Sequence, residues 1–161
     1  MKLFLSAGAA ALAAVLACVP VHAEGEHGGH AHDDTFSSGE PGNAKKPARL
    51  VQVTMTEADG KMLFTPSGIA IKKDEQVKFM LRNSGELDHE FVLATTGENL
   101  KHAEAMQKNP DMEHDDMNAK RLAPKQTGEM VWKFSNAGEF EYSCLIPGHR
   151  EAGMIGTVIV K

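Results

Sequence analysis

Apolar and polar residues alternate along several short stretches after residue 49. Val51, Val53 and Met55 alternate with polar neighbours, and the same period of two recurs at Met130 and Trp132. This period is typical of strands that bury one face. Further short apolar stretches, separated by turn-forming residues, predict strands around Leu63 and over residues 69–71, 77–81, 89–95, 140–144 and 155–160. Together these stretches predict an all-β protein, a β-sandwich.

The period changes between residues 98 and 108. Leu100, Ala103 and Met106 recur at the spacing of one helix face, and the stretch ends before Pro110. An acidic loop that contains methionines follows, as far as about Lys120. The sequence therefore predicts one short helical insertion between two strands of the sandwich.

The first 23 residues have the pattern of a secretory signal peptide. Lys2 precedes a stretch rich in alanine and leucine, and Val21 and Ala23 supply small side chains for a cleavage site. The apolar stretch is marginal for a membrane span of about 20 residues. We therefore expect export to the periplasm and no membrane span in the mature form. The alternative is a lipoprotein, because Cys18 ends a segment that loosely resembles a lipobox.

Residues 24–48 are rich in polar residues, glycine and histidine, and Phe36 is almost their only apolar residue. Such a segment buries too little apolar surface to fold, so we expect a disordered, histidine-rich tail before a single domain over residues 49–161. The chain of 161 residues carries a net charge of −5. It has no clustered basic face of the kind that binds nucleic acid. We also expect the protein to be a monomer.

One cysteine, Cys144, remains in the predicted mature chain. A lone thiol in an exported protein needs an explanation, because cysteines there are normally paired. Strand alternation points its side chain into the sandwich. His149 and Met154 follow with four residues in each gap, and Gly148 and Gly153 allow the stretch to fold back. A thiolate, two imidazoles and a weak axial methionine form a blue-copper electron-transfer site.

A second histidine would complete that site. His89 opens the apolar strand that follows the polar turn at residues 83–86, so it lies at the end of the sandwich where the loop also lies. Two other interpretations of Cys144 stay open here. It could be a buried cysteine that packs as a small hydrophobe, or a nucleophile paired with His149. The nucleophile lacks an obvious orienting Asn or Asp, and it lacks the helix N-terminus that commonly lowers a cysteine pKa.

Three stretches, YSCLIPGHREAGMIGTVIV, FTPSGIAIKKDEQVKF and DHEFVL, resemble the cupredoxins, the plastocyanin and azurin superfamily of type 1 copper proteins. The resemblance covers residues 49–161 and implies a Greek-key β-sandwich. It implies that His89, Cys144 and His149 bind one type 1 copper in plane, with Met154 as the long axial ligand. It further implies one-electron transfer between Cu(I) and Cu(II) with a redox partner protein, rather than enzymatic catalysis.

The neighbours of two implied ligands, Cys144 and His89, distinguish this chain from relatives of the family. Multicopper oxidases and nitrite reductases place a histidine beside the copper cysteine, whereas Ser143 and Leu145 flank Cys144 here. Many cupredoxins follow the first histidine with Asn or Ser, whereas this chain has Glu90. If Glu90 lies near the copper, its charge would favour Cu(II) and lower the reduction potential.

Histidines and methionines outside the loop are candidates for additional, labile copper. The tail supplies three histidines and the insertion a mixed set: His27, His30, His32, His102, Met106, Met112, His114 and Met117. Short histidine-rich tracts bind metals with low specificity, and thioethers select Cu(I). The alternative for the tail is a solvated segment without a metal site. The alternative for the insertion is an amphipathic helix followed by an acidic loop.

Two roles for the copper follow from these features. The first is copper handling or tolerance, in which the protein binds or oxidises excess copper outside the cytoplasm, as in the periplasmic copper-tolerance cupredoxins of proteobacteria that the chain resembles. The second is a dedicated electron shuttle to a respiratory or oxidase partner. The histidine tail and the insertion favour the first role.

Overall fold

The computed structural model describes residues 36–109 and 116–161. The predicted signal peptide lies outside these ranges. No helix in the described ranges is long and apolar enough to cross a bilayer. The strands are β1 (Glu40–Pro41), β2 (Arg49–Ala58), β3 (Lys61–Thr65), β4 (Gly68–Ile71), β5 (Gln76–Asn83), β6 (His89–Ala94), β7 (Ala119–Leu122), β8 (Thr127–Lys133), β9 (Gly138–Ser143) and β10 (Ile155–Val160), with helix α1 (Thr96–Lys108) between β6 and β7.

The strands form two five-stranded sheets. Their orders are β1-β8-β5-β2-β3 and β4-β10-β9-β6-β7. The pairs β2–β5 and β4–β10 are parallel, and the other pairs are antiparallel. One core cluster takes side chains from both sheets, with Phe79, Phe91, Trp132 and Tyr142 fully buried. The predicted all-β sandwich with one helical insertion is confirmed.

Strand β6 is buried on both faces, which explains its unbroken apolar sequence. One face contributes to the main core, and the other packs under α1 in a second cluster of Val92, Met106 and Leu145. The helix begins after the N-cap Thr95, whose side chain forms a capping box with Glu98. The insertion therefore packs against the same strand that carries the first candidate ligand.

Residues 36–48 differ from the sequence prediction. Phe36 lies edge-on to Trp132, with ring centroids 5.1 Å apart. Strand β1 pairs with β8, and the Gln76 side chain donates to the carbonyl groups of Asn43, Lys46 and Pro47. The prediction that residues 24–48 are disordered is therefore wrong for residues 36–48. Composition cannot predict this order, because the polar segment is held against the sheet by one aromatic side chain and by pairing to an edge strand.

Candidate metal centre

Three side chains converge at one end of the sandwich. His89 is the first residue of β6, and Cys144 directly follows β9. Because these strands are antiparallel with Val92 opposite Ser143, Cys144 comes close to the first residues of β6. Nδ1 of His149 lies 3.3 Å from Nδ1 of His89 and 3.3 Å from Sγ of Cys144.

The spacing of these atoms fits one shared metal ion. Ligand atoms of His89, Cys144 and His149 all lie within 4.8 Å of one another, and all three residues are buried. Two imidazole nitrogens that bind one metal at about 2 Å must lie about 3–4 Å apart. No other such group of three occurs within residues 36–109 and 116–161.

The loop from Cys144 to Met154 is closed by its own backbone. The Met154 N–H donates to the His149 carbonyl at 3.1 Å, and the Cys144 N–H donates to the Met154 carbonyl at 3.2 Å. Gly148 and Gly153 take φ values of 89° and 101°, which favour glycine. These turns bring the backbone of Met154 back to that of Cys144, and the Met154 side chain is fully buried.

The sulfur of Cys144 lies in an apolar setting with two donors. The backbone N–H of Glu90 donates to it at 3.2 Å, and that of Ile146 donates as well. Burial raises the thiol pKa to about 12, and the Glu90 charge adds to the increase, although the two N–H groups and Arg121 oppose it. A catalytic cysteine needs a lowered pKa, so this environment argues against a nucleophile and suits a metal that displaces the proton.

His149 is held in its neutral form. Burial lowers its pKa, and the neighbouring His89 lowers it further, while the Glu57 charge acts in the opposite direction. A neutral imidazole has the lone pair that a metal requires. His149 is therefore ready to bind a metal at neutral pH without first losing a proton.

Glu57 contacts the other ring nitrogen of His89, and the sequence analysis missed it. Its Oε1 lies 2.9 Å from His89 Nε2. Burial raises the pKa of Glu57, but hydrogen bonds donated by the N–H groups of Glu86 and Leu87 lower it below the ordinary value. The two residues are 32 positions apart, so no local pattern could have paired them.

A second missed contact braces the ligand loop from outside. Arg150 donates to Glu141 of β9 at 2.9 Å, and Glu141 also accepts hydrogen bonds from Ser143 and Asn99 of α1. Burial raises the pKa of Glu141, but its bonds to Ser143 and Arg150 lower it more. The loop is thereby tied to the face of β9 that lies under the helix.

Glu90 lies beside the sulfur, as the sequence hypothesis required. Its side chain is buried at 3% exposure, and Arg121 is its partner across the β6–β7 pair. Its backbone N–H makes the contact with Cys144 described above. The structure thus places a buried acidic residue next to the candidate thiolate, where Asn or Ser is common in cupredoxins.

Three candidates for additional copper lie within the described residues, and they differ in exposure. His102 is partly buried on α1 and lines a surface cavity together with Phe36 and Asp116. Met117 is 58% exposed. Met106 is fully buried in the contact between helix and sheet, which contradicts its assignment to a labile second copper site. The remaining candidates lie outside the described residues: His27, His30, His32, Met112 and His114.

Comparison with known proteins identifies the family. The profile of copper binding proteins of the plastocyanin/azurin family matches residues 51–161. The chain belongs to this family. A histidine–cysteine–histidine centre at the end of the sandwich is the donor set of a type 1 copper site, so copper is the cofactor of this cupredoxin.

Individual relatives agree with that assignment. This cupredoxin is 46% identical to the copper-resistant cuproprotein CopI of Rubrivivax gelatinosus, over 87% of its own length and 83% of the relative. It is 34% identical to CopI of Vibrio cholerae, over 74% of its length and 70% of that relative. Among solved structures, auracyanin B is 25% identical with a TM-score of 0.61, and the match covers 77% of this cupredoxin and 96% of auracyanin B.

Proposed function

We propose that this cupredoxin binds one type 1 copper through His89, Cys144, His149 and Met154, and that it acts in copper handling or tolerance outside the cytoplasm. The convergence of the first three ligand atoms within 4.8 Å, in a buried site, carries the ligand assignment. Met154 is fully buried and its carbonyl accepts the N–H of Cys144 at 3.2 Å, so its thioether would be the fourth and weaker ligand.

The bound copper supplies one-electron exchange between Cu(I) and Cu(II), and the residues of the chain serve that chemistry. Cys144 offers a soft sulfur that favours Cu(I), and the imidazoles of His89 and His149 suit both oxidation states. The loop geometry changes little because backbone hydrogen bonds fix it, and burial keeps water from the sulfur. We propose no further catalytic centre, and any oxidation of Cu(I) would take place at this site.

Two observations support the proposed role and location. The relatives from Rubrivivax gelatinosus and Vibrio cholerae are named copper-resistant cuproproteins. The first 23 residues have the pattern of a signal peptide, which supports export to the periplasm. The redox partner of this cupredoxin would then be an exported protein, or copper itself would be the species that is bound and oxidised.

The second candidate function is a dedicated electron shuttle with no role in copper handling. The buried cluster of His89, Cys144 and His149 favours it, because one copper at one such site suffices for one-electron transfer. The two functions differ in whether copper binds outside the buried site. We expect additional labile copper to bind and to depend on the tail histidines and on His102. Such additional binding would favour copper handling.

The ligand assignment is tested by two matched substitutions. His149→Gln and His102→Gln each remove one imidazole, but only the first lies in the buried site. We expect the copper-loaded His149→Gln variant to lose the thiolate-to-copper charge-transfer absorption and the His102→Gln variant to keep it. Cys144→Ser should abolish the absorption altogether. Absorption that survives in Cys144→Ser would overturn the assignment.

The role is tested by copper stoichiometry. Removal of residues 24–35 deletes the tail histidines and leaves the ordered residues 36–48 in place. We expect the full mature chain to bind more than one copper and the truncated chain to lose the additional copper while its charge-transfer absorption is unchanged. A single tight copper in both proteins would favour the electron shuttle.

A further inference from the structure

We propose that Glu57 is a positioning residue for His89: its carboxylate fixes the ring orientation and the tautomer that present Nδ1 to the copper, and its charge stabilises Cu(II). This inference rests on the proposed copper site. Its first support is that the two ring nitrogens of His89 face different partners. Nδ1 faces His149 at 3.3 Å, whereas Nε2 lies 2.9 Å from Oε1 of Glu57.

The contact determines which nitrogen carries the hydrogen. A carboxylate at neutral pH can only accept hydrogen bonds, so Nε2 of His89 must donate and Nδ1 keeps its lone pair. His89 is fully buried, and Nε2 has the Glu57 carboxylate as its hydrogen-bond partner there. In metal sites, a carboxylate behind a histidine ligand fixes the ring and raises its basicity.

The carboxylate is itself held in place. Oε2 of Glu57 accepts the N–H of Glu86 at 3.0 Å, and Oε1 accepts the N–H of Leu87 at 3.0 Å. Strand β2 is thereby joined to the turn that leads into His89. Three hydrogen bonds on one carboxylate leave it little freedom to rotate. The fixed carboxylate in turn fixes the orientation of the His89 imidazole.

Gly85 makes room for this arrangement. A Cβ atom at this position would lie 2.2 Å from Oε2 of Glu57 and 2.5 Å from its Oε1. An alanine here would therefore push the carboxylate away while leaving its charge on the chain. Gly85→Ala thus separates the effect of the contact from the effect of the charge.

The alternative is that Glu57 only braces the turn through Glu86 and Leu87. In that case its loss would lower stability but would change neither the tautomer of His89 nor the reduction potential. The anionic carboxylate lies on the far side of a ring that binds copper. It therefore stabilises the more positive oxidation state, and its removal raises the potential.

The test compares four variants with the wild type: Glu57→Ala, Glu57→Gln, Gly85→Ala and the control Glu86→Gln. Glu86 is an exposed neighbour paired with Lys125, so the control removes the same unit of charge without touching His89. The first readout is the tautomer of His89 in the copper-free protein, from long-range nitrogen–proton NMR. The others are the reduction potential and the copper affinity from competition with a chelator.

We expect Glu57→Ala and Gly85→Ala to reduce the population of the Nε2–H tautomer and to weaken copper binding about 10- to 100-fold. Glu57→Gln keeps an acceptor and should preserve the tautomer, but it should raise the potential because the charge is lost. Glu86→Gln should match the wild type in tautomer and affinity.

The inference is overturned if Glu57→Ala and Glu86→Gln behave alike in tautomer, affinity and potential while the wild type shows the charge-transfer absorption. Absence of that absorption in the wild type would instead refute the proposed copper site. The NMR readout does not require copper, so the contact between Glu57 and His89 is tested in either case.

Discussion

The two halves of the metal centre are built in different ways. His149 and Met154 lie on a loop that closes through its own backbone hydrogen bonds. His89 lies at the start of a strand and is oriented by Glu57, a side chain 32 positions away. Local spacing can therefore specify the first half, whereas the second half exists only after the sheets have assembled. Three predictions test this difference, each with its own control.

The largest effect is expected at the ion pair between Arg150 of the loop and Glu141 of β9. Arg150→Ala would leave Glu141 buried without its cation, which costs about 3 kcal/mol in free energy of unfolding. The folded-state pKa of Glu141 is lowered, so this contribution is present above the ordinary glutamate pKa and is lost as the pH falls through the folded value. Urea unfolding at neutral and acid pH measures both effects.

The exposed Arg82 supplies the control for this substitution. Arg82→Ala removes the same charge from a strand surface, and we expect a change within about 0.5 kcal/mol. Equal effects of the two substitutions would mean that the stability of the loop does not depend on the contact between Arg150 and Glu141.

The next effect is expected on the histidine side, at Asn83. Its side chain donates to the carbonyl groups of Leu87 and Leu122 and accepts from the N–H of Gly85. Asn83→Ala would leave buried backbone groups unpaired, at a cost of about 2 kcal/mol. We expect copper affinity to fall as well, because the turn before His89 loosens.

Asn136 provides the comparison for Asn83, because it is exposed and donates to the carbonyl of Ser37. Asn136→Ala should change the free energy of unfolding by less than about 0.5 kcal/mol and leave copper affinity unchanged. If Asn83→Ala lowers stability but not copper affinity, the turn does not control His89.

The smallest expected effect is the change in copper affinity per pH unit, which arises from the proton of Cys144 in the loop. Burial raises the pKa of Cys144 to about 12, so at neutral pH the thiol keeps its proton until copper displaces it. The pKa of His149 is lowered, so that ring needs no deprotonation. The apparent copper affinity should therefore rise about tenfold per pH unit between pH 6 and 8.

Competition with a chelator at several pH values measures that slope, and calorimetry in buffers of different ionisation enthalpy counts the proton released. Cys144→Ser is the control, because a serine hydroxyl cannot supply the proton in this range. An affinity that stays constant with pH in the wild type would contradict Cys144 as a ligand.

The sequence was informative where the pattern involves residues that are close together in the chain. The alternation of Met130 and Trp132 predicted a strand with one buried face, and both side chains are buried in β8. The spacing of Cys144 and His149 predicted a shared site, and their ligand atoms lie 3.3 Å apart. Both signals arise from residues close together in the chain.

The sequence was uninformative where function depends on pairing between distant strands. Glu57 lies on β2 in one sheet, His89 lies on β6 in the other, and the hydrogen bond between them depends on the packing of both. Met106 shows the opposite error, because a thioether that could bind copper is instead part of the helix–sheet contact. Residue type alone cannot distinguish these outcomes, since burial is decided by the tertiary structure.

The contact between Phe36 and Trp132 has a practical consequence. Trp132 is the single tryptophan of the chain and is fully buried, with Phe36 covering it edge-on. Its fluorescence is therefore a built-in optical reporter of whether residues 36–48 stay docked on the first sheet. An emission maximum that shifts to longer wavelength under mild conditions would reveal undocking of this segment before the sandwich itself unfolds.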